Sequence, residues 1–496
     1  MRAFLVRWPF CLFKFLRDGR IKIYVKTRGM KMKNKVAILH TNDLHSHFEN
    51  FPKIKRFMQS KTKELESQGY TIFRVDDGDA MDRSNPLTDV TNGQANVELL
   101  NQLNYDVATV GNNEVLTNSH DDLEHLYDKA NFKVILDNVD EKETGKKPQW
   151  SDSYADYVLP NGSKLRFMAL TFPYPTFKML GWNVYPVYET INKQLKKWSG
   201  DYDVLILLSH LGINYDGEIA KRFPEISIII GGHTHHLLKT GKLVNQTLLT
   251  AAEKWGHYVG VITFDVDGKQ VSNRQAEVVK VSELASQPED KDWIEEIDQQ
   301  GHTMLADQKI ADLPKLLTTS LESDNSMIEV GLKALESYTK TEAAILNTGL
   351  FLKDLPKGIV DMNQIQQVLP HNIHAMKTTL WGFDLVRLIK EMEKNKKFLI
   401  HFEQKGMGFR GKYFGLLEYD GVEYDDKRNR VLWHGKQIIL FKKYEVGLID
   451  HYDFIPFFPT VDIAGKNKIY FDGTLKQIFA EYLAKKYPIR NKKNEA

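Results

Sequence analysis

The segment Val36-Ala-Ile-Leu-His-Thr-Asn-Asp-Leu-His45 joins a short apolar run directly to polar side chains. The run at 36–41 is continuous rather than alternating, and it has the length of a strand that is buried on both faces. Similar runs recur at 70–75, 107–110, 134–136, 204–208 and 226–230. Amphipathic helical patterns at 93–104 and 121–130 lie between several of them. This alternation predicts an α/β domain that is built in layers.

Side chains that commonly bind metals follow five of these runs, at the point where each predicted strand ends. In chain order they are Asp43, His45, Asp79, Asn112, His210, His233 and His235. Because the carboxyl ends of the strands form one rim of an open α/β sheet, these seven side chains are expected to lie close together. Each short motif alone is weak, but five of them directly after buried-type strands indicate a site.

The kinds of ligand restrict the metal. Carboxylate oxygen together with imidazole nitrogen suits zinc, manganese or iron, whereas magnesium and calcium prefer an all-oxygen set. Seven ligands exceed the usual requirement of one ion, and they suit two ions at the roughly 3.5–4 Å spacing of two-metal hydrolases. The sequence therefore predicts two divalent metal ions as the cofactor and leaves their identity open.

The same segments resemble the signature of the calcineurin-like metallophosphoesterase superfamily. The matching stretches are Ile38-Leu-His-Thr-Asn-Asp-Leu-His45, Asp77-Gly-Asp79, Gly111-Asn112, Ser209-His210 and Gly232-His233-Thr-His235. More narrowly, the chain is similar to the bacterial 5′-nucleotidase family, as a diverged, intracellular-type member. The resemblance spans about residues 35–460. It implies an α/β fold, with a four-layer α/β/β/α metallophosphoesterase sandwich followed by a smaller α/β C-terminal domain of the 5′-nucleotidase type.

The resemblance also implies a ligand assignment and a reaction. One ion would take Asp43, His45 and His235, the other would take Asn112, His210 and His233, and Asp79 would bridge them. The implied activity is that of a hydrolase acting on phosphoric ester bonds, with nucleotides as substrates. Metal-activated water would attack phosphorus in line. Since no protein nucleophile is required, no phosphoenzyme is expected.

One departure from the family pattern concerns catalysis. The family usually has a histidine directly after the motif asparagine, and Asn113 stands there in this chain. An asparagine amide can donate a hydrogen bond to a phosphoryl oxygen, but it cannot act as a proton donor. Asn113 is thus the candidate catalytic residue, and slower turnover or a need for good leaving groups is expected. His47 and His120 stay open as substitutes.

The resemblance assigns substrate binding to the C-terminal domain, where the family motifs are eroded. The candidate substrate-binding residues are Asn347, Gly349, His371, Phe409, Arg410 and Tyr452. Leu352 stands where the family has an arginine for phosphate, and His371 replaces a stacking phenylalanine. Phe409 and Arg410 belong to a glycine-rich loop, which favours stacking on a base and bidentate contact with phosphate.

Domain boundaries and compartment follow from position and composition. We expect an N-terminal extension outside the fold at 1–33 and a metallophosphoesterase domain at 34–281. A helical linker at 282–313 and a C-terminal substrate domain at 314–496 follow.

The net charge is +2, from 67 basic and 65 acidic residues, so neither a nucleic-acid polymer nor a membrane is expected as a partner. Cys11 is the single cysteine, which excludes an intramolecular disulfide and favours a cytoplasmic location.

Three hypotheses of function stay open on the sequence alone. The leading one is a phosphoesterase of nucleotide catabolism whose partner is a small-molecule phosphoester, a nucleotide. A second is a phosphodiesterase or pyrophosphatase acting on cyclic or dinucleotide-type substrates. The third is a metal-containing binding protein with reduced catalysis, which Asn113 and Leu352 favour. The near-complete ligand set argues against that third hypothesis.

Overall fold

The computed structural model describes residues 12–17, 20–25, 33–323, 326–406 and 408–489. Within the predicted extension at 1–33, Leu12–Arg17 and Arg20–Val25 pair as an antiparallel two-stranded sheet of their own. Apart from residue 33, the rest of that extension lies outside the described residues, so its place in the fold stays a prediction. Among the described residues, no helix combines the length and apolar character needed to cross a bilayer.

The first of two large sheets contains the strand at the start of the segment 36–45. From edge to edge its six strands are Gln270–Lys280, Tyr258–Asp267, Asn34–Thr41, Tyr70–Asp76, Val107–Ala108 and Lys133–Val134. The last four are mutually parallel, as expected for continuous apolar runs that are separated by helices. Thr41 pairs with Asp76, so the loops that follow these two strands start side by side.

The second large sheet has the same size. Its strands are, in order, Lys242–Val244, Thr247–Thr250, Ile226–Gly231, Val204–His210, Lys164–Thr171 and Tyr154–Val158. Every residue of Val204–His210 is buried, because this strand is central and is covered on both faces. Ser209 pairs with Gly231, which places His210 beside the loop that carries His233 and His235.

The two sheets pack face to face and helices cover both outer faces. Side chains such as Ile38, Val75, Ile206 and Ile228 form the core between the sheets. The helices Phe51–Ser67 and Gln94–Gln102 pack on the first sheet, and the helices Val187–Lys197 and Ile213–Arg222 pack on the second. The layers therefore run helix, sheet, sheet, helix, and the predicted four-layer α/β/β/α sandwich is confirmed.

A smaller α/β unit follows. Its five-stranded sheet has the order Leu417–Asp420, Ala344–Asn347, Lys443–Ile449, His374–Trp381 and Lys466–Thr474. Its larger helices are Met327–Thr339, Met362–Val368, Gly382–Leu399 and Leu475–Lys486. One continuous core, separate from that of the sandwich, holds these elements together. The exact boundaries at 281, 313 and 314 stay predictions.

Further sheets and helices complete the described part of the chain. Three small sheets pair Val139–Glu141 with Trp182–Val184, Lys309–Leu313 with Gly358–Asp361, and Val422–Asp425 with Arg430–Trp433 and Lys436–Gln437. The remaining α-helices are Pro86–Val90, Asn112–Leu116, His120–Leu126, Pro288–Ala306, His451–Phe454 and Pro459–Ala464. The sequence pattern around Pro288 predicts a turn, and this is wrong, because the proline occupies the first helical position, where its missing N–H costs nothing.

Two sequence-based strand predictions need correction. The segment 438–441 reads as a strand but forms a loop, because Leu440 and Lys442 use their carbonyl groups to accept bonds from the first residues of the helix Gly382–Leu399. The segment 247–267 reads as one closing pair of strands. Thr247–Thr250 instead pairs in parallel with Ile226–Gly231, while Tyr258–Asp267 lies in the other large sheet.

Candidate metal centre

The predicted ligands lie in loops at the carboxyl ends of the strands, where backbone bonds fix them. The backbone N–H of Asp43 donates to Gly78 at 3.0 Å, and that of His45 donates to Asp79 at 2.9 Å. The backbone N–H of His233 donates to the Asp43 carboxylate at 3.1 Å. These bonds connect the loops that carry Asp43, Asp79 and His233. The loops follow paired strands, so the pairing of the strands determines which side chains lie together.

Five of the seven predicted ligands have a left-handed backbone conformation. The φ values are 52° for Asp43, 48° for His45, 50° for Asp79, 68° for His233 and 55° for His235. This region costs free energy for residues other than glycine, and such residues cluster where the surrounding fold enforces them. The concentration of unfavourable backbone in these loops is typical of a functional site.

Asp43, His45 and His235 form one group. The Nε2 atoms of His45 and His235 are 3.2 Å apart. Oδ1 of Asp43 lies 3.4 Å from His235 Nε2 and 3.8 Å from His45 Nε2. Three potential ligand atoms therefore converge on one point, as expected for the first predicted ion.

A second group lies directly beside the first. Oδ2 of Asp79 is 3.3 Å from His210 Nε2 and 3.9 Å from His45 Nε2, so one carboxylate oxygen faces both groups. His233 Nδ1 lies 2.8 Å from Asn112 Oδ1. Asp43 Oδ1 also approaches His210 Nε2 at 4.0 Å. Asp43 belongs to both groups and Asp79 faces both, so two carboxylates lie where a bridging ligand would stand.

The protonation states suit cation binding. Burial would raise the pKa of Asp79, but His210 and His45 lower it overall, so the group stays a carboxylate. Burial lowers the pKa of His233 to about 4, which leaves the neutral imidazole that metals bind. His210 Nδ1 donates to the Asp77 carbonyl at 2.7 Å, and Nε2 lies 3.3 Å from Asp79 Oδ2. Burial lowers the pKa of His210, but the Asp79 and Asp43 carboxylates raise it well above its usual value overall, so a cation at Nε2 would displace a proton. The side chains present fit divalent cations.

Glu114 supports the cluster and has no place in the sequence prediction. Its carboxylate accepts bonds from the backbone N–H groups of Asp79 at 3.0 Å, Gly111 at 2.8 Å and Met81 at 3.2 Å. Burial, together with the nearby Asp79, raises the pKa of Glu114 to about 8. The available signal was its position three residues after Gly111, which is that of a capping glutamate at a helix start. Glu114 thus ties the Asp79 loop to the Asn112 loop.

Asn113 lies at the cluster with its amide group already in use. Its Nδ2 donates to the Met81 carbonyl at 3.0 Å and lies 2.9 Å from His45 Nδ1. Its backbone N–H donates to Asp79 Oδ1 at 2.7 Å. Because an amide nitrogen can only donate, His45 Nδ1 accepts in this contact, while Asn113 Oδ1 accepts from the Asn112 amide at 3.1 Å. These contacts favour a positioning role for Asn113 over the predicted direct contact with a phosphoryl oxygen.

Replacing Asn113 by alanine is expected to weaken metal binding. Loss of the partner of a metal-binding histidine typically lowers metal affinity about 10–100-fold. A chelator-competition titration of the metal-loaded chain measures this affinity. The matched control is Asn161→Ala, since Asn161 lies in a turn and donates to the Val266 carbonyl. Unchanged affinity with slower turnover in Asn113→Ala would contradict the positioning role and return Asn113 to catalysis.

His47 and His120, the two open substitutes, are engaged elsewhere. The ring of His47 stacks on Trp255 at 4.5 Å and bonds to Glu49. The ring of His120 stacks on Trp182 at 4.2 Å, and its Nδ1 lies 3.0 Å from the Leu180 carbonyl. Within the described part of the chain, neither ring forms a hydrogen bond with the seven ligand side chains.

Two of the predicted substrate-binding side chains are buried and bonded to the protein. Asn347 Nδ2 donates to the Phe414 carbonyl at 2.6 Å, and Tyr452 donates its hydroxyl proton to Asn347 Oδ1 at 2.9 Å. Gly349 lies so close to the Tyr413 carbonyl, 2.0 Å from a notional Cβ, that no other residue fits. In this structure, Asn347, Gly349 and Tyr452 make contacts that hold the fold together, and their assignment to substrate binding stays a prediction.

The remaining three predicted substrate residues lie together in the C-terminal unit, and Arg410 contacts the sandwich. His371 and Phe409 stack on each other at 5.0 Å, and both are buried. Arg410 donates to Asp82 Oδ2 at 2.5 Å, and Asp82 follows Asp79 by three residues. The predicted stacking residue is therefore covered by protein in this conformation, whereas Arg410 reaches the loop that carries a predicted metal ligand.

The fold and the cluster define the class to which this chain belongs. The family Calcineurin-like phosphoesterase matches residues 36–237, a segment that contains all seven predicted ligands. Over 465 residues the chain is 35% identical to the uncharacterized metallophosphoesterase YunD of Bacillus subtilis, with 91% of this chain and 100% of that protein covered. The chain is a member of the calcineurin-like metallophosphoesterases. Divalent metal ions and the hydrolysis of phosphoric esters are properties of this family.

Solved structures extend the similarity to the whole architecture. The putative 5′-nucleotidase from Staphylococcus aureus has a TM-score of 0.63 and 16% identity, and 91% of this chain and 97% of that chain are covered. The 5′-nucleotidase precursor from Thermus thermophilus has a TM-score of 0.55 and 19% identity, with coverages of 92% and 97%. The NAD nucleotidase of Haemophilus influenzae has a TM-score of 0.59 and 14% identity, with coverages of 92% and 97%. At these identities the likeness shows the fold alone.

Proposed function

We propose that this chain is a dinuclear metal-dependent phosphoesterase that hydrolyses nucleotides. The proposal rests on the position of Asp79 Oδ2, which lies 3.3 Å from His210 Nε2 and 3.9 Å from His45 Nε2, beside an Asp43 carboxylate that belongs to both ligand groups. Carboxylates shared between two adjacent groups of ligands suit two ions at the roughly 3.5–4 Å spacing of two-metal hydrolases. We propose zinc, manganese or iron for the two ions, because the ligands mix oxygen and nitrogen.

The protein groups prepare the site for a phosphoester. Bound divalent ions would supply Lewis-acid activation of water and neutralise the charge of the phosphate oxygens. The backbone N–H of Asn113 and the Glu114 carboxylate hold the Asp79 loop, and the Asp77 carbonyl orients His210. Held in this way, the ligands need no rearrangement during the reaction, which lowers the barrier.

Arg410 supports a phosphate-bearing substrate. The Asp82 carboxylate holds its guanidinium beside the loop of Asp79, and the guanidinium fork matches phosphate oxygens. We propose that Arg410 exchanges Asp82 for a substrate phosphate. Nucleotides are the substrate class that the names of the 5′-nucleotidases and of the NAD nucleotidase indicate for those proteins, and we extend it to this chain as a proposal. A cytoplasmic role in nucleotide catabolism belongs to the same proposal.

A phosphate-release panel tests the proposed activity. The full chain is loaded with manganese or zinc and assayed on nucleoside monophosphates, cyclic nucleotides, nucleotide sugars, dinucleotides and p-nitrophenyl phosphate. We expect metal-dependent release from nucleoside monophosphates that chelation abolishes, at a rate limited by the lack of a proton donor at Asn113. Arg410→Gln is expected to raise KM for nucleotides while leaving metal content unchanged.

Other outcomes of the panel separate the alternatives. Turnover of cyclic or dinucleotide substrates alone would replace the nucleotidase by a phosphodiesterase or pyrophosphatase. The absence of turnover in a chain that holds two ions would favour a metal-containing binding protein. Asn113 supports the alternative of a metal-containing binding protein. Its amide cannot act as a proton donor in catalysis, and Nδ2 is already engaged with the Met81 carbonyl and with His45.

A further inference from the structure

A group of large apolar side chains lies exposed on the C-terminal unit. Their exposed fractions are 41% for Trp381, 42% for Phe383, 62% for Ile439, 48% for Leu440 and 82% for Phe441. We call these five residues the aromatic loop patch. Single exposed apolar residues are ordinary, but a contiguous group of this kind marks an interaction surface.

The fold presents this patch in a fixed conformation. The backbone N–H groups of Phe383 and Gly382 donate to the carbonyls of Leu440 at 3.1 Å and Lys442 at 2.8 Å. A Cβ on Gly382 would lie 2.2 Å from the Ile439 carbonyl, so the loop approaches the helix start as closely as glycine allows. The rings of Phe383 and Phe441 are 6.1 Å apart. Backbone bonds therefore hold the apolar side chains outward.

Lysines surround the apolar side chains. Lys436, Lys442 and Lys443 are exposed, and none of them forms an ion pair with a carboxylate within the described ranges. Lys443 Nζ lies 4.8 Å from the Trp381 ring. Two acidic residues that neighbour the patch along the chain are paired with other cations, since Asp384 contacts Arg387 at 3.5 Å and Glu445 contacts Lys377 at 3.3 Å. The border of the patch is therefore positively charged.

We infer that the aromatic loop patch docks this chain on the surface of an anionic phospholipid bilayer. Aromatic and aliphatic side chains on a protruding loop enter the headgroup boundary, and neighbouring lysines attract anionic lipids. The charge complementarity is local, so the net charge of +2 gave no sign of it. Phe441, the most exposed member, would insert most deeply. This attachment is peripheral and independent of the metal centre.

Vesicle co-sedimentation of the full chain tests the inference. Vesicles of phosphatidylcholine alone are compared with vesicles that also contain phosphatidylglycerol. We expect sedimentation with the anionic vesicles only, and a loss of binding as salt increases. Phe441→Asp is expected to weaken binding about tenfold or more. The double variant Lys442→Gln/Lys443→Gln is expected to weaken it about 25-fold, at about fivefold for each lysine.

Controls distinguish docking from unfolding and from self-association. Ile463, in the same unit, is 77% exposed and lies outside the patch, so Ile463→Asp should bind as the parent chain does. All variants should keep the parental melting temperature. Equal binding to neutral and anionic vesicles, or binding that survives Phe441→Asp, would overturn the inference. So would concentration-dependent dimerisation that Phe441→Asp abolishes, since the patch would then be an interface between copies of this chain.

Discussion

Replacing Asp79 by alanine is expected to remove bound metal and turnover together. Oδ2 of Asp79 faces both ligand groups, and Asp43 is the other carboxylate that does so. Loss of Asp79 would leave Asp43 as the single anion between His45 and His210, which is too little negative charge to neutralise two divalent cations. Metal ions contribute several kcal/mol of transition-state stabilisation, so turnover should fall by about three orders of magnitude or more.

Elemental analysis of the purified variant and a phosphate-release assay measure this result. The matched control is Asp82→Asn, because Asp82 lies on the same loop but bonds to Arg410 and Asn372. The control should keep the metal content of the parent chain. An Asp79→Ala chain that retains two ions and full turnover would show that the proposed ligand map is wrong.

Replacing Lys476 by alanine is expected to destabilise the whole chain. Lys476 is buried on the C-terminal helix Leu475–Lys486, and its Nζ donates to Asp89 of the sandwich and to Gln366. Burial lowers the pKa of this lysine, although Asp89 acts against that shift. Removing one partner of a buried pair leaves an uncompensated charge, which costs about 3–5 kcal/mol.

Urea unfolding of the parent chain and the variant measures the difference. Lys485→Ala is the matched control, because Lys485 lies on the same helix but is exposed, and it should change the free energy of unfolding by less than about 0.5 kcal/mol. A loss below about 1 kcal/mol for Lys476→Ala would mean that Arg83, 3.2 Å from Asp89, already compensates the carboxylate. The contact between the two units would then be weaker than we describe.

The sandwich was predictable because its strands are buried on both faces. Continuous apolar runs such as 36–41 and 204–208 have few alternatives to a central parallel strand, and the structure confirms Asn34–Thr41 and Val204–His210. The convergence of the seven polar side chains followed from the same logic, since the ends of parallel strands share one rim. Their roles as metal ligands stay a proposal, although the measured distances support it.

Sequence patterns failed where long-range contacts determine the outcome. The run 438–441 has strand composition, yet its loop carbonyls are taken up by the start of a helix more than fifty residues earlier. The sequence pattern also did not indicate that Tyr452 donates its hydroxyl proton to Asn347 inside the core, and the assignment of both residues to substrate binding stays a prediction. Glu114 was missed because its position three residues after Gly111 indicates only a helix cap, whereas its bonds to the backbone of Asp79 and Met81 are long-range.

The metal content of the wild-type chain is the most direct test of a dinuclear metal centre in this protein. The chain would be stripped with a chelator, titrated with manganese or zinc, and analysed for bound metal and for phosphate release at each step. We expect two equivalents of tightly bound metal per chain, with turnover appearing as the second site fills. Saturation at one equivalent, or full turnover before the second ion binds, would contradict a dinuclear centre bridged by Asp79.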